Sequence, residues 1–543
     1  MRLANVKTRK ETGLSYVMQN VYTATPFGTK IIRELEPFAP GQEDELRLEF
    51  AKMEKVLEMI TNNPKLSDVL YECFMETKDC SYTLQRSENN TLSVVELFEL
   101  KSLLIIMEKV RKLLIDNKDD VLEEFILDDV APILDAIDPS KERINTFYIY
   151  DEFSEKLGPL RKEKRNCDVE IRKLKKKTKQ YLENKYNLEI TPKFECIVPK
   201  PKAELLETLK NEPELMLKEQ DYVNVTFEVR APEEADAFIS KVQELEQQIE
   251  AVELEVREEL SRKVFHHSDM ISKNCHRLGM LDFTMGKVVY AREHNCVKPE
   301  IVEEHIIEFS EGRQLEVETV LISRNKTYCP VSMSLKDGVN CITGANMGGK
   351  TVSLKLAGLV QLLAQYGFFV PCDRAKVGLS NFIQILIGDS QSFERGLSTF
   401  GSEMEELNDI LNHSVSRSFI LIDEIASGTN PIEGMALTNS LIEYLGDKPV
   451  IALMTTHFDV VTDKCPVKKM QVVGLENADF AKLDKEIKYA KRKERIDIIS
   501  RYMDYRLKTV EREEEIPKDA LNIAKILGLN DEIINRAKEF IKK

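Results

Sequence analysis

The sequence predicts two unlike halves, a helical first half that carries two long arms and an α/β second half. Three observations lead there. Apolar residues recur at helical spacing through the first 150 residues, and a strongly basic segment is answered by a strongly acidic one between about 155 and 265. From about residue 297 short apolar runs alternate with helical stretches and Gly-containing turns, the texture of an α/β domain.

At 543 residues the chain exceeds what one hydrophobic core holds, so several domains are expected. Hydrophobic residues at 42% and charged residues at 31% describe a helix-rich protein built for water. No stretch approaches the roughly 20 uninterrupted apolar residues that cross a bilayer, and the opening MRLANVKTRK lacks the apolar core of a secretory signal. A cytoplasmic location with no membrane partner is the expectation. Ten cysteines from Cys73 to Cys465, with no CxxC pair, read as reduced thiols. The net charge of -16 has more bearing on function, because duplex DNA is held by Lys and Arg displacing counterions from phosphate. A nucleic-acid partner therefore needs a local basic surface.

In the helical half, LRLEFAKMEKVLEMI (46 to 60) places Leu46, Phe50, Met53, Leu57 and Ile60 at helical spacing, and VVELFELKSLLIIMEKVRKLL (94 to 114) repeats the pattern. Such stripes are packing faces. Residues 161 to 179 carry ten Lys or Arg against three acids, and residues 243 to 260 carry seven Glu against one Arg. Ile239, Val242, Leu245, Ile249, Val252, Val256 and Leu260, three or four apart, form a seam for another helix. The opposite charges predict an antiparallel pair that neutralises itself, where a free basic arm would point to phosphate binding. Between the arms, DYVNVTFEVRAP (221 to 232) predicts strands ahead of Pro232 and hence a small tip.

In the α/β half, Gly344, Ala345, Asn346, Met347, Gly348, Gly349, Lys350 and Thr351 spell Gly-x4-Gly-Lys-Thr after the apolar run GVNCIT (338 to 343). Val352, Leu356, Leu359 and Leu363 mark one face of a helix that follows. Glycines let backbone wrap closely round phosphate, and amides at a helix start point toward it. Lys350 is suited to neutralise β and γ phosphates and Thr351 to offer its hydroxyl to Mg2+. The apolar strand Phe419 to Ile422 ends in Asp423, suited to the magnesium shell, and Glu424, suited to orient and deprotonate water. A third apolar strand, VIALMTTH (450 to 457), ends at His457, within reach of a γ phosphate. In GDSQSFERGLSTFGSEMEEL (388 to 407), Ser402 and Glu405 have capping-box spacing, which predicts a helix start near Ser398 to Ser402.

In this order the four elements resemble the MutS family of ABC-type ATPases. TGANMGGKT looks like that family's TGPNMGGKST, LSTFGSEM like its STFxxEM, ILIDEIASGTNPIEGMAL like its DExxxGTxPxEG, and MTTHF like its TTHF switch. Likeness extends to LGMLDFTMGKVVYA (278 to 291), to TPFGTKIIRELEP (25 to 37) and to the final LNIAKILGLNDEIINRAKEF. The fold class implied is an α-helical lever and clamp region plus an α/β P-loop ABC-type ATPase domain. Residues 1–296 would be the helical core, with arms at about 155–190 and 233–275 flanking a tip at about 190–232. Residues 297–543 would be the ATPase domain with a C-terminal helix-turn-helix.

The resemblance implies ATP at Gly344 to Thr351, Mg2+ at Thr351 and Asp423, Glu424 and His457 as catalytic groups, and Ser398 with Thr399 reaching the nucleotide of a partner subunit in a homodimer. Ala345 stands where the family has Pro, Val352 follows Thr351 where it has Ser-Thr, and Gln314 and Leu315 replace a His-Pro pair. The lever-like region begins near residue 25, which leaves no room for mismatch-reading and connector domains. Phe74 to Glu76 and Phe153 to Glu155 have Phe-x-Glu spacing but fall in helical stretches and read as packing. Two loads fit such a machine: a DNA structure gripped through Lys193, Lys200, Lys202 and Lys210 of the tip, or an adenosylcobalamin-dependent aminomutase reactivated by a protein remodeller.

Overall fold

The computed structural model describes residues 3–344, 349–388, 399–426, 429–457, 466–489, 495–510, 521, 524 and 529–541. The chain divides into two compact units. One comprises Met1–Met75, Asp116–Ile126 and Arg277–Lys543, the other Glu76–Ile115 and Leu127–His276. Among the described residues no helix is long and apolar enough to cross a membrane.

The unit containing residues 127–276 is organised by two long helices, Leu157–Tyr186 and Asp236–His266. They run antiparallel and are stitched by Lys156–Glu255, Arg161–Glu253, Lys164–Glu246 and Lys241–Glu163 ion pairs. Leu245, Val252, Val256 and Leu260 of the seam are buried, as the three-four spacing requires. Between the helices sits a three-stranded antiparallel sheet of β1 (Glu195–Pro199), β2 (Leu215–Gln220) and β3 (Asn224–Val229), ordered β1-β3-β2. Val225, Phe227 and Val229 turn one face of it onto Leu206 and Leu209 of the helix Ala203–Lys210. Alternation in β3 was legible in the sequence; β1, ending in a proline, and the mostly exposed β2 were not.

A buried polar knot holds the base of this unit. The Lys101 ammonium, 1% exposed, meets the Asp138 carboxylate at 3.1 Å and also donates to the Thr146 carbonyl and the Tyr150 hydroxyl. Asp138 accepts further hydrogen bonds from the Arg143 amide and the Ser140 hydroxyl. Burial alone would raise the Asp138 carboxyl; Lys101 and these donors outweigh it and hold the group below its ordinary value. Phe153 lies in a 3-10 turn, Asp151–Phe153, rather than in the helix expected for it, and packs on the Phe147 and Tyr150 rings.

The other unit is built on two sheets. The smaller joins β4 (Glu300–Val302), β5 (Ile306–Gly312), β6 (Val331–Lys336) and β8 (Arg374–Gly378) in the order β4-β8-β5-β6. The larger joins β7 (Gly338–Thr343), β9 (Phe382–Ile387), β10 (Ser418–Asp423), β11 (Val450–Thr455), β12 (Val467–Gly474) and β13 (Asp504–Thr509) in the order β13-β12-β7-β11-β10-β9. Its neighbours are parallel except β13, which is antiparallel to β12. Every residue of β10 and β11 is buried, which explains why both read as unbroken apolar runs rather than alternating ones.

Helices cover both faces of the larger sheet. The helix Lys350–Gln365 presses so closely that a Cβ on Gly358 would stand 2.8 Å from the Leu421 side chain. On the opposite face Ile410 of Thr399–His413 and Ile442 of Pro431–Gly446 pack with Leu386, Ile420, Ile422 and Met454 of the sheet. A short helix at the start of the chain, Val6–Glu11, seals the β9 edge: the Ile383 amide donates to the Leu3 carbonyl and the Ile385 amide to the Thr8 hydroxyl. Lys7 pairs with Glu406 at 2.7 Å and Glu11 with Lys355 at 2.7 Å, so one helical turn grips helices on both faces. No sequence signal announced this role.

In the helix Glu43–Asn62 the buried face is Leu46, Phe50, Met53, Val56, Met59 and Ile60, with Leu57 only half-buried. Phe74 is wholly buried in the helix Pro64–Met75, as packing demands. Of the final helix-turn-helix segment, Asp531–Ile541 is helical, while most of the preceding residues lie outside those described.

Candidate functional site

The carboxyl ends of the central strands converge, the place where open α/β sheets present their ligand sites. β7 ends at Thr343 and passes into Gly344 at φ 134°, and Gly349 at φ 77° caps the helix Lys350–Gln365. Both values suit glycine and few other residues. Ala345, Asn346, Met347 and Gly348 lie outside the described residues.

Lys350 is 4% exposed, yet its ammonium is fully engaged. It donates to the Gly344 carbonyl at 3.0 Å, lies 3.3 Å from the Glu424 carboxylate and 3.1 Å from His457 Nδ1. His457 Nε2 lies 2.7 Å from Glu424. With Nε2 donating to the carboxylate, Nδ1 is left to accept from Lys350, so the three side chains close a ring. Burial pulls the Lys350 ammonium below its ordinary value, against the opposing pull of Glu424 and Asp423.

Beside this ring the Thr351 hydroxyl donates to Asp423 Oδ2 at 2.8 Å, and Thr455 donates to Oδ1 at 2.5 Å. Asp423 and Thr455 are register partners across the parallel β10 and β11, so the sheet itself fixes this contact. Thr455 was not singled out in the sequence, although a threonine closing a buried strand next to His457 was the available signal. Beyond Asp423 the chain turns sharply. Glu424 at φ 51° and Ala426 at φ 59° occupy the left-handed region that favours glycine. Two fastenings hold the turn: the Glu424 amide donates to the Thr455 carbonyl at 3.1 Å, and the Ala426 amide to the Glu403 carboxylate at 3.3 Å. Burial pushes the Glu403 carboxyl up, while the Ala426 amide pulls it down less strongly.

Ser398 lies outside the described residues. Thr399 opens the described helix Thr399–His413, within the Ser398 to Ser402 window expected for its start, although Ser402 then stands inside the helix rather than capping it. Gln314, at the position that departs from the family pattern, caps the helix Leu315–Ser323: its side chain accepts from the Val317 amide and donates to the Thr12 carbonyl.

A cavity of about 970 Å³ opens on Gly349, Lys350, Thr351 and Glu424. Leu321, Arg324, Tyr328, Met503 and Tyr505 also line it. None of these five could be picked from the sequence, because each comes from an element outside the recognised motifs. Tyr505 stands 3.1 Å from where a Cβ on Gly349 would lie, so the turn and the cavity wall constrain each other.

A second polar group resembles a Ser-His-Asp arrangement. His305 Nδ1 meets Asp337 at 2.6 Å and Nε2 meets the Ser380 hydroxyl at 3.1 Å. Ser380 is wholly buried and also hydrogen-bonded to Gln361, so no substrate reaches it and the group serves packing.

Residues 340–543 match the family model described as MutS domain V, which begins within β7 and takes in the Lys350 helix, Asp423–Glu424 and His457. This domain and the relatives it brings support membership of the MutS family. It is 25% identical to the DNA mismatch repair protein MutS of Aquifex pyrophilus over 99% of this chain and 60% of that protein. It is 31% identical to the Endonuclease MutS2 of Clostridium tetani over 53% of this chain and 34% of that one. To the Endonuclease MutS2 of Shouchella clausii it is 38% identical over 37% of this chain and 25% of the relative. The chain thus spans less than two thirds of each of these MutS relatives, from 60% down to 25% of their length.

Proposed function

We propose that this MutS-family chain is a Mg2+-dependent ATPase that works as a homodimer and couples ATP hydrolysis to a grip on DNA. The observation that carries the reading is the convergence of Lys350, Thr351, Asp423, Glu424 and His457 from three separate strand ends, with Lys350, Thr351 and Glu424 opening on one cavity. The cavity lies within the size range of small-molecule sites and has tyrosines available to flank a base.

The donor set suits magnesium, since the Thr351 hydroxyl and the Asp423 carboxylate are hard oxygen ligands already side by side. The metal would supply charge neutralisation at the phosphates. Lys350, held dry, contributes a cation to the β and γ phosphates. Glu424, free to exchange its partner Lys350 for a water, orients and deprotonates the nucleophile, and His457 steadies the Glu424 carboxylate. Residues 344 to 349 supply backbone amides, and Ser398 with Thr399 complete the site of the partner subunit.

A dimer is supported by the helix Pro431–Gly446. Its inner face packs on the sheet, while Ile432, Met435, Leu437 and Tyr444 stay exposed. The relatives' names, one a mismatch repair protein and two endonucleases, favour DNA as the load.

The test is ATP hydrolysis by the full chain with and without duplex, branched and single-stranded DNA at two salt concentrations. Stimulation that fades with salt is expected. Hydrolysis indifferent to every DNA form would reject the DNA load in favour of a protein such as an aminomutase, and absence of hydrolysis would reject the ATPase.

A further inference from the structure

The basic arm pairs with the acidic arm, but only in part. Arg161 and Lys164 face Glu253 and Glu246, and Lys175 is taken by Glu228. Lys162, Arg165, Arg172 and Lys176 are exposed and make no ion pair among the described residues. Their spacing is three, seven and four residues, and Val169, 50% exposed, stands within the larger gap. At 3.6 residues per turn the four cations fall within an arc of about 80°. Glu163, Asp168 and Glu170 all fall outside that arc by the same geometry. What the helix presents there is an uninterrupted cationic stripe, turned away from the acidic arm.

We infer that this stripe on the helix Leu157–Tyr186 is a docking surface for the phosphate backbone of a nucleic acid. The inference rests on the DNA reading above and assigns it a surface. Charge complementarity decides the occupant. From Lys162 to Lys176 the helix rises about 21 Å, the axial length of about six phosphates on one strand of a duplex. A polyanion of uniform sign matches four cations without an acid among them. The arm of a second copy does not: on the helix Asp236–His266 the stretch 243–260 keeps, among the described residues, only Glu250 and Glu258 without an ion-pair partner, eight residues apart. Contact with phosphates alone is blind to sequence, so the surface sets grip and salt dependence rather than choice of site.

The experiment compares the full chain with a variant carrying Lys162→Gln, Arg165→Gln, Arg172→Gln and Lys176→Gln. Binding of a fluorescent duplex is titrated across a salt series, with ATP hydrolysis without DNA and thermal unfolding as controls. The stripe variant is expected to hydrolyse ATP and unfold as the parent does. Its plot of log affinity against log salt should be shallower by up to about 3.6, close to 0.9 for each phosphate that the stripe no longer neutralises. An unchanged slope in a protein whose parent binds DNA would overturn the stripe while leaving the DNA reading intact. A parent that binds no duplex would overturn both. A variant that changes its sedimentation rather than its salt slope would overturn the stripe in favour of contact between copies.

Discussion

The Thr351 hydroxyl and the Asp423 carboxylate meet at 2.8 Å, tying the first turn of the helix after the Gly-rich loop to the end of β10. Thr455 clamps the other carboxylate oxygen, so Asp423 has little rotational freedom. Such a fixed pair of oxygens is a preformed half-shell for a hard cation. Thr351→Ala should raise the Mg2+ concentration needed for half-maximal hydrolysis by about tenfold or more, and Thr455→Val, acting through Asp423, should do so more weakly. A magnesium titration of ATPase activity checks both. An unmoved requirement in Thr351→Ala would remove the residue from the metal shell.

Glu424 and Lys350 are paired here but are assigned opposite duties toward a nucleotide. Glu424→Gln should hold ATP and lose turnover about a hundredfold or more, because the amide cannot take a proton from water. Lys350→Ala should weaken nucleotide binding itself. Equilibrium binding of a fluorescent ATP analogue, read beside turnover, separates the two effects. If both variants lost binding equally, the division of roles would fail.

Glu403 belongs to the helix Thr399–His413 yet fastens the turn beyond Glu424 through the Ala426 amide. Glu403→Ala should lower kcat by about tenfold, the worth of one buried hydrogen bond, with KM for ATP little changed. Glu403→Gln keeps an acceptor oxygen and should stay near the parent. Ala426→Gly accepts a left-handed φ without strain and should recover part of the rate in the Glu403→Ala background. A general loss of folding would show no such recovery.

Lys101 and Asp138 form an ion pair with both side chains 1% exposed. Removing one partner strands the other in a dry interior, so Lys101→Met should cost about 3 kcal/mol or more, measured by urea unfolding. Asp138 also gives that unit an acid limit. Its folded value lies below its ordinary 3.8, so its stabilising share is complete above about pH 4 and is lost as the pH falls through the lowered folded value. Unfolding midpoints measured from about pH 7 to about pH 3 should fall less steeply at the acid end in Asp138→Asn, whose starting stability is lower.

Much of the site was legible because its chemistry is local in sequence. Gly344, Lys350 and Thr351 lie within eight residues of one another, and buried strands announce themselves as apolar runs ending in Asp423 and near His457. The arms were legible through charge, which foretold a self-neutralising antiparallel pair but not its individual contacts, Arg161–Glu253 and Lys164–Glu246 among them. What sequence missed depends on distant partners. Glu403 matters through Ala426, Tyr505 through Gly349, and Gln314 through Thr12, and no periodicity records such meetings. The unpaired half of the basic arm escaped for a related reason, since composition counts cations without saying which side of a helix they take.

The helix Val6–Glu11 and residue Leu3 complete a strand made some 380 residues later in synthesis. While the chain is being made, those first residues must wait, and the Ile383 and Ile385 amides have no cover until they return. A fragment beginning near residue 297 would carry that strand bare for its lifetime, offering a row of unpaired amides to any neighbour. Cutting the α/β half free at the border its sequence suggests would therefore yield a sticky protein, and a soluble version should be sought by supplying the first dozen residues in trans or by fusion.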